Sequence, residues 1–566
     1  MPREKGMRCG QRTPQPTDMT KSLLEDKRTV WLVAAVTILL FLIANLPWQL
    51  DDYDQAKQAF TSFEMIKEER WFYQQTPREH VATKPPLVGW VSAGLFALTG
   101  SCEVSWRLPS LLAAIALSIL LFRSASFAYA SIAGLIAFSA FGLNLLSPRL
   151  AALVRTDMPL AFVIFLIGLF IWKKIQRQEE WKPRERVYMF VLLTVAMLIK
   201  GPIVYAFLLP GIALFQLLYR GAASNPPQDK TFRLGEKSSC SHGAVSPCFG
   251  PRGERLDTAR RLQRAWPGWW PWIASLGVFL LWVIGGIVFQ PGFYNEVVIR
   301  EFVARFGETI HRAQPVYFYM PHLLHKFAPW SVLMIAVAAF GLASRRWRVG
   351  AALRDMSPET VWLLCWSLGG LVAMSLIPSK RVDRIFPIVP PLCLLLAAQV
   401  GKAACSHGSV SRSSVGNSDL AGHTPVATKN QAARSHIYLW SALALLLAIL
   451  FTGGYTIFKI ISGYRNHRDA LAVFGSDVRR QAEVNHWRYE VVSAKDEGLL
   501  LYLRKTHFIE PHRAVAEWNR GNLDALVASK EKAPPLMRDL HGAALSQLKS
   551  NERKEEQGRG YVLITR

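Results

Sequence analysis

Apolar runs recur along this chain at 29–48, 107–123, 127–146, 156–173, 187–200, 202–219, 269–290, 326–343, 360–377, 384–400 and 437–460. A helix needs about 20 such residues to cross a bilayer, and fewer where neighbours cover it. Hydrocarbon offers no partner to a backbone N–H or C=O, so each run must close its hydrogen bonds within itself, as a helix. The expected fold is mainly α, a polytopic transmembrane helical bundle of about 11–13 spans. A shorter apolar piece, Leu87 to Leu98, reads as a further span or a surface helix.

Charge sets the orientation. The 66 Lys and Arg residues outweigh 41 Asp and Glu, for a net +25. On a soluble chain that balance would point to a polyanion such as nucleic acid. Here the basic residues fall between apolar runs, in 173–186, 220–268, 344–355 and 401–436. The positive-inside rule and an anionic inner leaflet account for them, and no nucleic-acid partner is expected. Eleven spans put all four segments and the N-terminus on the cytoplasmic side. The segments 49–106, 147–155, 291–325 and 378–383 then face outward with the C-terminus.

The termini differ in kind. Residues 1–28 are basic and polar, and read as a disordered cytoplasmic tail. The run from Val30 to Trp48 is too long for a signal-peptide core and reads as a retained helix. A membrane domain is expected over 29–460, with 220–268 and 401–436 as flexible loops rich in Ser, Gly, Pro and Arg. Residues 461–566 read as a small soluble α/β domain. Its expected helices are 468–483 and 512–531, and its expected strands 488–494, 498–505 and 560–566. None of the seven cysteines has zinc-type spacing, and the last hundred residues hold none, so this domain folds without disulfides.

The outward segments carry the chemistry. In "LDDYDQAKQAFTSFEM", apolar Tyr53, Ala56, Phe60, Phe63 and Ile66 share one face of a helix, with Asp54, Lys57, Gln58 and Thr61 opposite. Such a helix lies at the interface, its polar face turned either to solvent or to a cavity. In "VATKPPLVGW", Lys84 precedes two prolines that fix an extended turn; it either snorkels or meets a phosphate. In "SPRLAALVRTDMPL", Arg149, Arg155 and Asp157 stand at the start of a span. Arg155 and Asp157 form an interfacial pair or serve a site. "REFVARFGETIHRAQPVYFYMP" adds Arg300, Arg305, His311 and Arg312 beside Tyr317 and Tyr319. "SLIPSKRVDRIFPIVPP" adds Lys380, Arg381 and Arg384 on the outside. Three cations there oppose the positive-inside rule and call for an anionic partner.

These stretches, in this order, resemble the GT-C glycosyltransferases of the protein O-mannosyltransferase and aminoarabinose-transferase type. The matching pieces are "DQAKQAFTSFEM", "TKPPL", "RLPS" (Arg107 to Ser110), "VRTD", "HRAQPVYFYMP" and "SKRVDRIFPIVPP", spread over about 29–400. Counting back from Met65, the resemblance places the family's first-loop acid on Asp54 rather than Asp51 or Asp52, and implies that Asp54 is the catalytic base. It implies Asp157 as a second catalytic acid and Lys84 as a donor-phosphate contact, joined by Arg155, His311, Arg312, Lys380 and Arg381. Lys57, Gln58, Tyr317 and Tyr319 are left for the sugar or acceptor. Two positions depart from the pattern. Thr83 stands where an acid linked to metal binding is common, so no metal or other cofactor is assigned. Gln55 stands where a second acid is usual.

The implied reaction moves a sugar from a polyprenyl-phosphate donor to an envelope lipid, glycan or protein, at the outer face of a bacterial inner membrane, with inversion. Asp52-Tyr53-Asp54 is also a D-x-D, but no α/β nucleotide domain surrounds it. A flippase for lipid-linked sugars would need the same cations, together with paired broken helices and an internal repeat. A structural role for the C-terminal domain as a docking module would leave Asp54 and Lys84 without a task.

Overall fold

The computed structural model describes residues 24–50, 53–78, 80–224, 265–304, 314–343, 347–354, 356–405, 426–492, 496–546, 548 and 560–566. Every apolar run contains a helix. Among the described residues, Leu108–Tyr129, Asp157–Arg177, Trp270–Phe289, Pro358–Leu376, Val382–Gly401 and Ile437–Arg465 are long and apolar enough to cross a membrane. Several start with proline in the first turn, where its missing N–H has no intrahelical partner to lose.

The remaining runs depart from straight spans. The 326–343 run belongs to a pair, Val316–Lys326 and Trp330–Ala343, bent by 102°. Pro329 lies in the break, where it cannot continue the helical hydrogen bonds. Helix Ser131–Gly142 is short for a span but buried along almost its whole length, so other helices cover it. Leu87–Leu98 forms helix Leu87–Thr99 directly after the two prolines; Gly100 in a left-handed conformation (φ 65°) ends it. Helices Ile203–Ser224 and Pro358–Leu376 pack most closely at Gly211 and Gly369. A Cβ on Gly369 would overlap the Gly211 backbone.

The C-terminal segment forms a four-stranded sheet in the order β1-β2-β4-β3, with β1 Tyr489–Val491, β2 Ala525–Ser529, β3 Ala544–Leu545 and β4 Tyr561–Thr565. Strands β1 and β2 are parallel, and β4 runs antiparallel to both β2 and β3. Helix Ala470–Val484 and strands β1 and β4 fall where the sequence placed them. Two assignments are corrected. The 498–505 stretch is helical over Glu497–Tyr502, where Asp496 caps the first turn by accepting from the Gly498 N–H (3.1 Å). The 512–531 stretch is a helix only over Pro511–Asn519. Gly521 (φ 83°) then turns the chain into β2. Both errors involve short apolar runs buried on every side, which have no period to read.

Of the two readings of helix Tyr53–Glu68, the solvated one is excluded. Gln55, Gln58, Thr61, Ser62 and Glu64 are as buried as Ala56, Phe60 and Phe63. Its apolar side packs into a core shared with Leu471, Phe474, Val478, Leu499 and Leu500 of the C-terminal segment.

Candidate active site

The segments assigned to one side of the membrane meet at one end of the bundle. Helix Tyr53–Glu68 brings Asp54 there in its first turn. A 3₁₀ helix, Val382–Ile388, brings Arg381 at its cap and Asp383 inside it. The Arg381 guanidinium lies 2.6 Å from the Asp54 carboxylate, and Arg155 lies 3.5 Å from the same oxygen. Arg155 also donates to Asp383 at 2.8 Å, with Arg149 at 3.9 Å beyond. Two acids and three arginines thus form one chain of ion pairs.

Local sequence fixes this geometry. The Val154 N–H donates to the Gln55 amide oxygen (3.2 Å), and the Ser110 hydroxyl donates to the Arg155 carbonyl (3.1 Å). Gln55 therefore ties the Asp54 helix to the Arg155 loop through its amide oxygen. Ser110 of the RLPS stretch holds the same loop from the other side.

A second pair adjoins the first. Asp157 opens helix Asp157–Arg177 and Lys200 closes helix Pro183–Lys200, each at the helix end that suits its charge. Their side chains form a partly buried ion pair. Arg155 and Asp157 therefore have separate partners instead of pairing with each other. Lys84 lies within electrostatic range of Asp54, Asp157, Lys200 and Lys57. Burial, aided by the Lys200 charge, pulls its ammonium down to about 8, against the opposing pull of Asp54 and Asp157. For Asp54, burial alone would raise the pKa. Arg381 foremost, with Lys84 and Arg155, outweighs it and holds the carboxyl below its usual value. Arg381 is raised in return: burial is opposed by Asp54 and Asp383.

The other expected residues are distributed unevenly. Lys57 lines a cavity of about 420 Å³ with Thr83, Arg78, His80, Glu296 and Arg300. Gln58 is buried, and its carbonyl accepts from Thr61 and Ser62. Lys380 turns away from Asp54 and donates to the Gln314 carbonyl (2.9 Å). Tyr319 is fully buried, whereas Tyr317 is 70 % exposed. His311 and Arg312 lie outside the described residues, as do Asp51 and Asp52. Among the described residues no three His, Cys, Asp or Glu side chains are grouped to hold a metal ion.

Two members of the cluster were missed in the sequence. Lys200 carried a signal: it is a lone lysine at the outer end of an apolar run, against the positive-inside rule. Asp383 stood inside a stretch scanned for cations, and an acid between Arg381 and Arg384 is their natural counter-ion.

Fold and site together define a class: a polytopic membrane protein with a cluster of paired acids and cations at one end of its bundle, next to a small α/β domain. The family described as dolichyl-phosphate-mannose-protein mannosyltransferase matches residues 83–225. Curated relatives are undecaprenyl phosphate-alpha-4-amino-4-deoxy-L-arabinose arabinosyl transferases. The Shewanella sediminis protein is 28% identical over 131 residues (23% of this chain and 22% of its own length), and that of Pseudomonas savastanoi 26% over 196 residues (34% and 35%). The chain thus spans only about a fifth to a third of the length of these relatives. The fold likeness is broader. ArnT from Cupriavidus metallidurans bound to undecaprenyl phosphate superposes with a TM-score of 0.62 at 17% identity, covering 94% of this chain and 97% of that one. Its apo state gives 0.59 at 18% identity, over 95% and 98%. The resemblance to GT-C transferases read from short motifs is borne out: the fold is that of ArnT, nearly end to end.

Proposed function

We propose that this chain is a membrane glycosyltransferase. It moves a sugar from a polyprenyl-phosphate donor to an envelope lipid, glycan or protein, by one inverting displacement at the outer face of a bacterial inner membrane. The observation that carries the reading is the Asp54 carboxylate held among Arg381, Arg155 and Lys84. A lone structural ion pair needs one cation, whereas a site for a departing phosphate needs several. The relatives' names supply the donor class, a sugar on undecaprenyl phosphate, and make a lipid A-like acceptor the first to test.

In the displacement, the acceptor O–H passes its proton to Asp54 while its oxygen bonds to the anomeric carbon. The sugar–phosphate bond breaks, and its electron pair stays on the phosphate oxygen. The donor is a phosphodiester with one charge and the departing lipid phosphate gains a second, so preset cations favour the transition state over the ground state. Arg381 links the two events. As the phosphate draws on Arg381, Asp54 loses part of its neutralisation and becomes a stronger base. Asp157 holds Lys200 beside Lys84 and moderates the crowding of two ammonium groups.

Among the described residues, the acids of the cluster face Arg or Lys and do not group to hold a metal. Transfer is therefore expected to persist in EDTA; loss of rate restored by a divalent ion would contradict this. The overall reading is tested by mass spectrometry of envelope lipids, glycans and glycoproteins from cells with and without the gene. One glycoform should vanish while the sugar-loaded donor accumulates on the outer leaflet. Accumulation on the cytoplasmic leaflet instead would contradict the reading and favour a flippase.

A further inference from the structure

The first-loop helix is gripped from the C-terminal domain. Leu50, fully buried, lies four residues before Asp54. Its N–H donates to the Tyr502 hydroxyl (2.9 Å), across 452 residues of chain. Its carbonyl oxygen presses on Gly498, where a Cβ would overlap it. Tyr502 and Gly498 are on one short helix, Glu497–Tyr502, on the face turned to Leu50. At the far end of the Asp54 helix, Thr506 donates to the Glu68 carboxylate (2.8 Å). Between these ends, Ala56, Ala59, Phe60 and Phe63 share one core with Leu499 and Leu500. The same short helix starts with Glu497, which lines the 420 Å³ cavity beside Lys57 and Thr83.

We propose that the Glu497–Tyr502 helix is an active-site element supplied by the C-terminal domain, and that Tyr502 is a positioning residue which sets Asp54 against its arginines through Leu50. This rests on the transferase reading above and gives the C-terminal domain a task in catalysis. The grip is needed because the chain before Asp54 runs as a connector from the first membrane helix into the loop. A fixed backbone at Leu50, together with the Gln55–Val154 bond, keeps the first turn of the Asp54 helix in register with Arg381 and Arg155. A displaced catalytic group costs rate in proportion to its misplacement, about 100-fold for roughly an ångström.

The test compares Tyr502→Phe and Gly498→Ala with wild type in detergent, using a polyprenyl-phosphate sugar donor and, separately, hydrogen exchange of the 50–68 backbone amides. Tyr502→Phe removes one oxygen and leaves the packing. Its kcat should fall about 10- to 100-fold with donor KM within about twofold. The acid limb of its pH profile should move to higher pH, because the Asp54 carboxyl drifts from Arg381 and Arg155. Exchange at 50–58 should speed up in both variants, most in Gly498→Ala. Asp524→Asn, which breaks the Arg488 ion pair at the start of β2, should match wild type in all respects. Unchanged exchange in Tyr502→Phe and Gly498→Ala overturns the proposal, whatever the reaction proves to be. An unchanged kcat and pH profile in an active Tyr502→Phe enzyme overturns the catalytic part while the transferase reading stands. Absence of transfer by wild type sinks that reading alone, and the exchange result still decides the grip.

Discussion

Asp54 is one of three aspartates within four residues, and composition gives no reason to choose among them. Its surroundings do. Burial would push its carboxyl up, but Arg381 at 2.6 Å, with Lys84 and Arg155, holds it below the usual carboxylate value of about 4. As the proposed base, Asp54 is therefore ionised at neutral pH, and the acid-side loss of activity is expected only when pH drops through that lowered value. Arg381→Gln removes the strongest lowering influence. The acid limb of kcat against pH should then shift upward, and an unshifted limb would show that Arg381 does not act on Asp54. Lys84 titrates the other way. With its ammonium pulled down to about 8, its charged fraction falls as pH rises through that value. Affinity for polyprenyl phosphate, measured by titration, should weaken above about pH 8. Lys84→Arg, with a guanidinium that stays protonated, should flatten that limb.

At the scale of elements, the bundle was legible because hydrocarbon allows only one backbone solution. Each apolar run became a helix, and loop charge grouped the segments that meet at the site. Asp54, Lys84, Arg155, Asp157 and Arg381 were found through short ordered motifs, not through period. Period fell short where burial is complete. Helical spacing left the polar face of Tyr53–Glu68 open to solvent or to a cavity, and only the structure shows that Gln58 and Thr61 are buried. Lys380 was grouped with Arg381 by adjacency, but successive side chains diverge, and its amine caps the Gln314 carbonyl instead. Close helix contacts were equally unreadable, since a glycine in an apolar run does not reveal what it faces. Gly369 faces the Gly211 backbone, which cannot swing aside like a side chain. Gly369→Ala should destabilise the folded protein by about 1–3 kcal/mol, read by thermal unfolding in detergent, with kcat per folded molecule retained. Unaltered stability would mean that the two helices are free to separate.

At the scale of the molecule, a sheet-bearing domain of modest size lies on the same end of the bundle as the paired acids and cations. Under the proposed function, that end faces the compartment where lipid-linked sugar and acceptor meet. In a chain without native cysteines, Arg520→Cys in the C-terminal domain should react with an impermeant thiol reagent added outside spheroplasts. Arg184→Cys, at the start of helix Pro183–Lys200, should react only after lysis. Labelling of both from one side would contradict the topology. The proposed chemistry depends on one carboxylate, that of Asp54. The most direct measurement is transfer from a polyprenyl-phosphate sugar by purified Asp54→Asn, with donor binding measured on the same sample. The predicted result is transfer lost by several orders of magnitude with the donor still bound. Near-normal transfer by Asp54→Asn would contradict the assignment of Asp54 as the base.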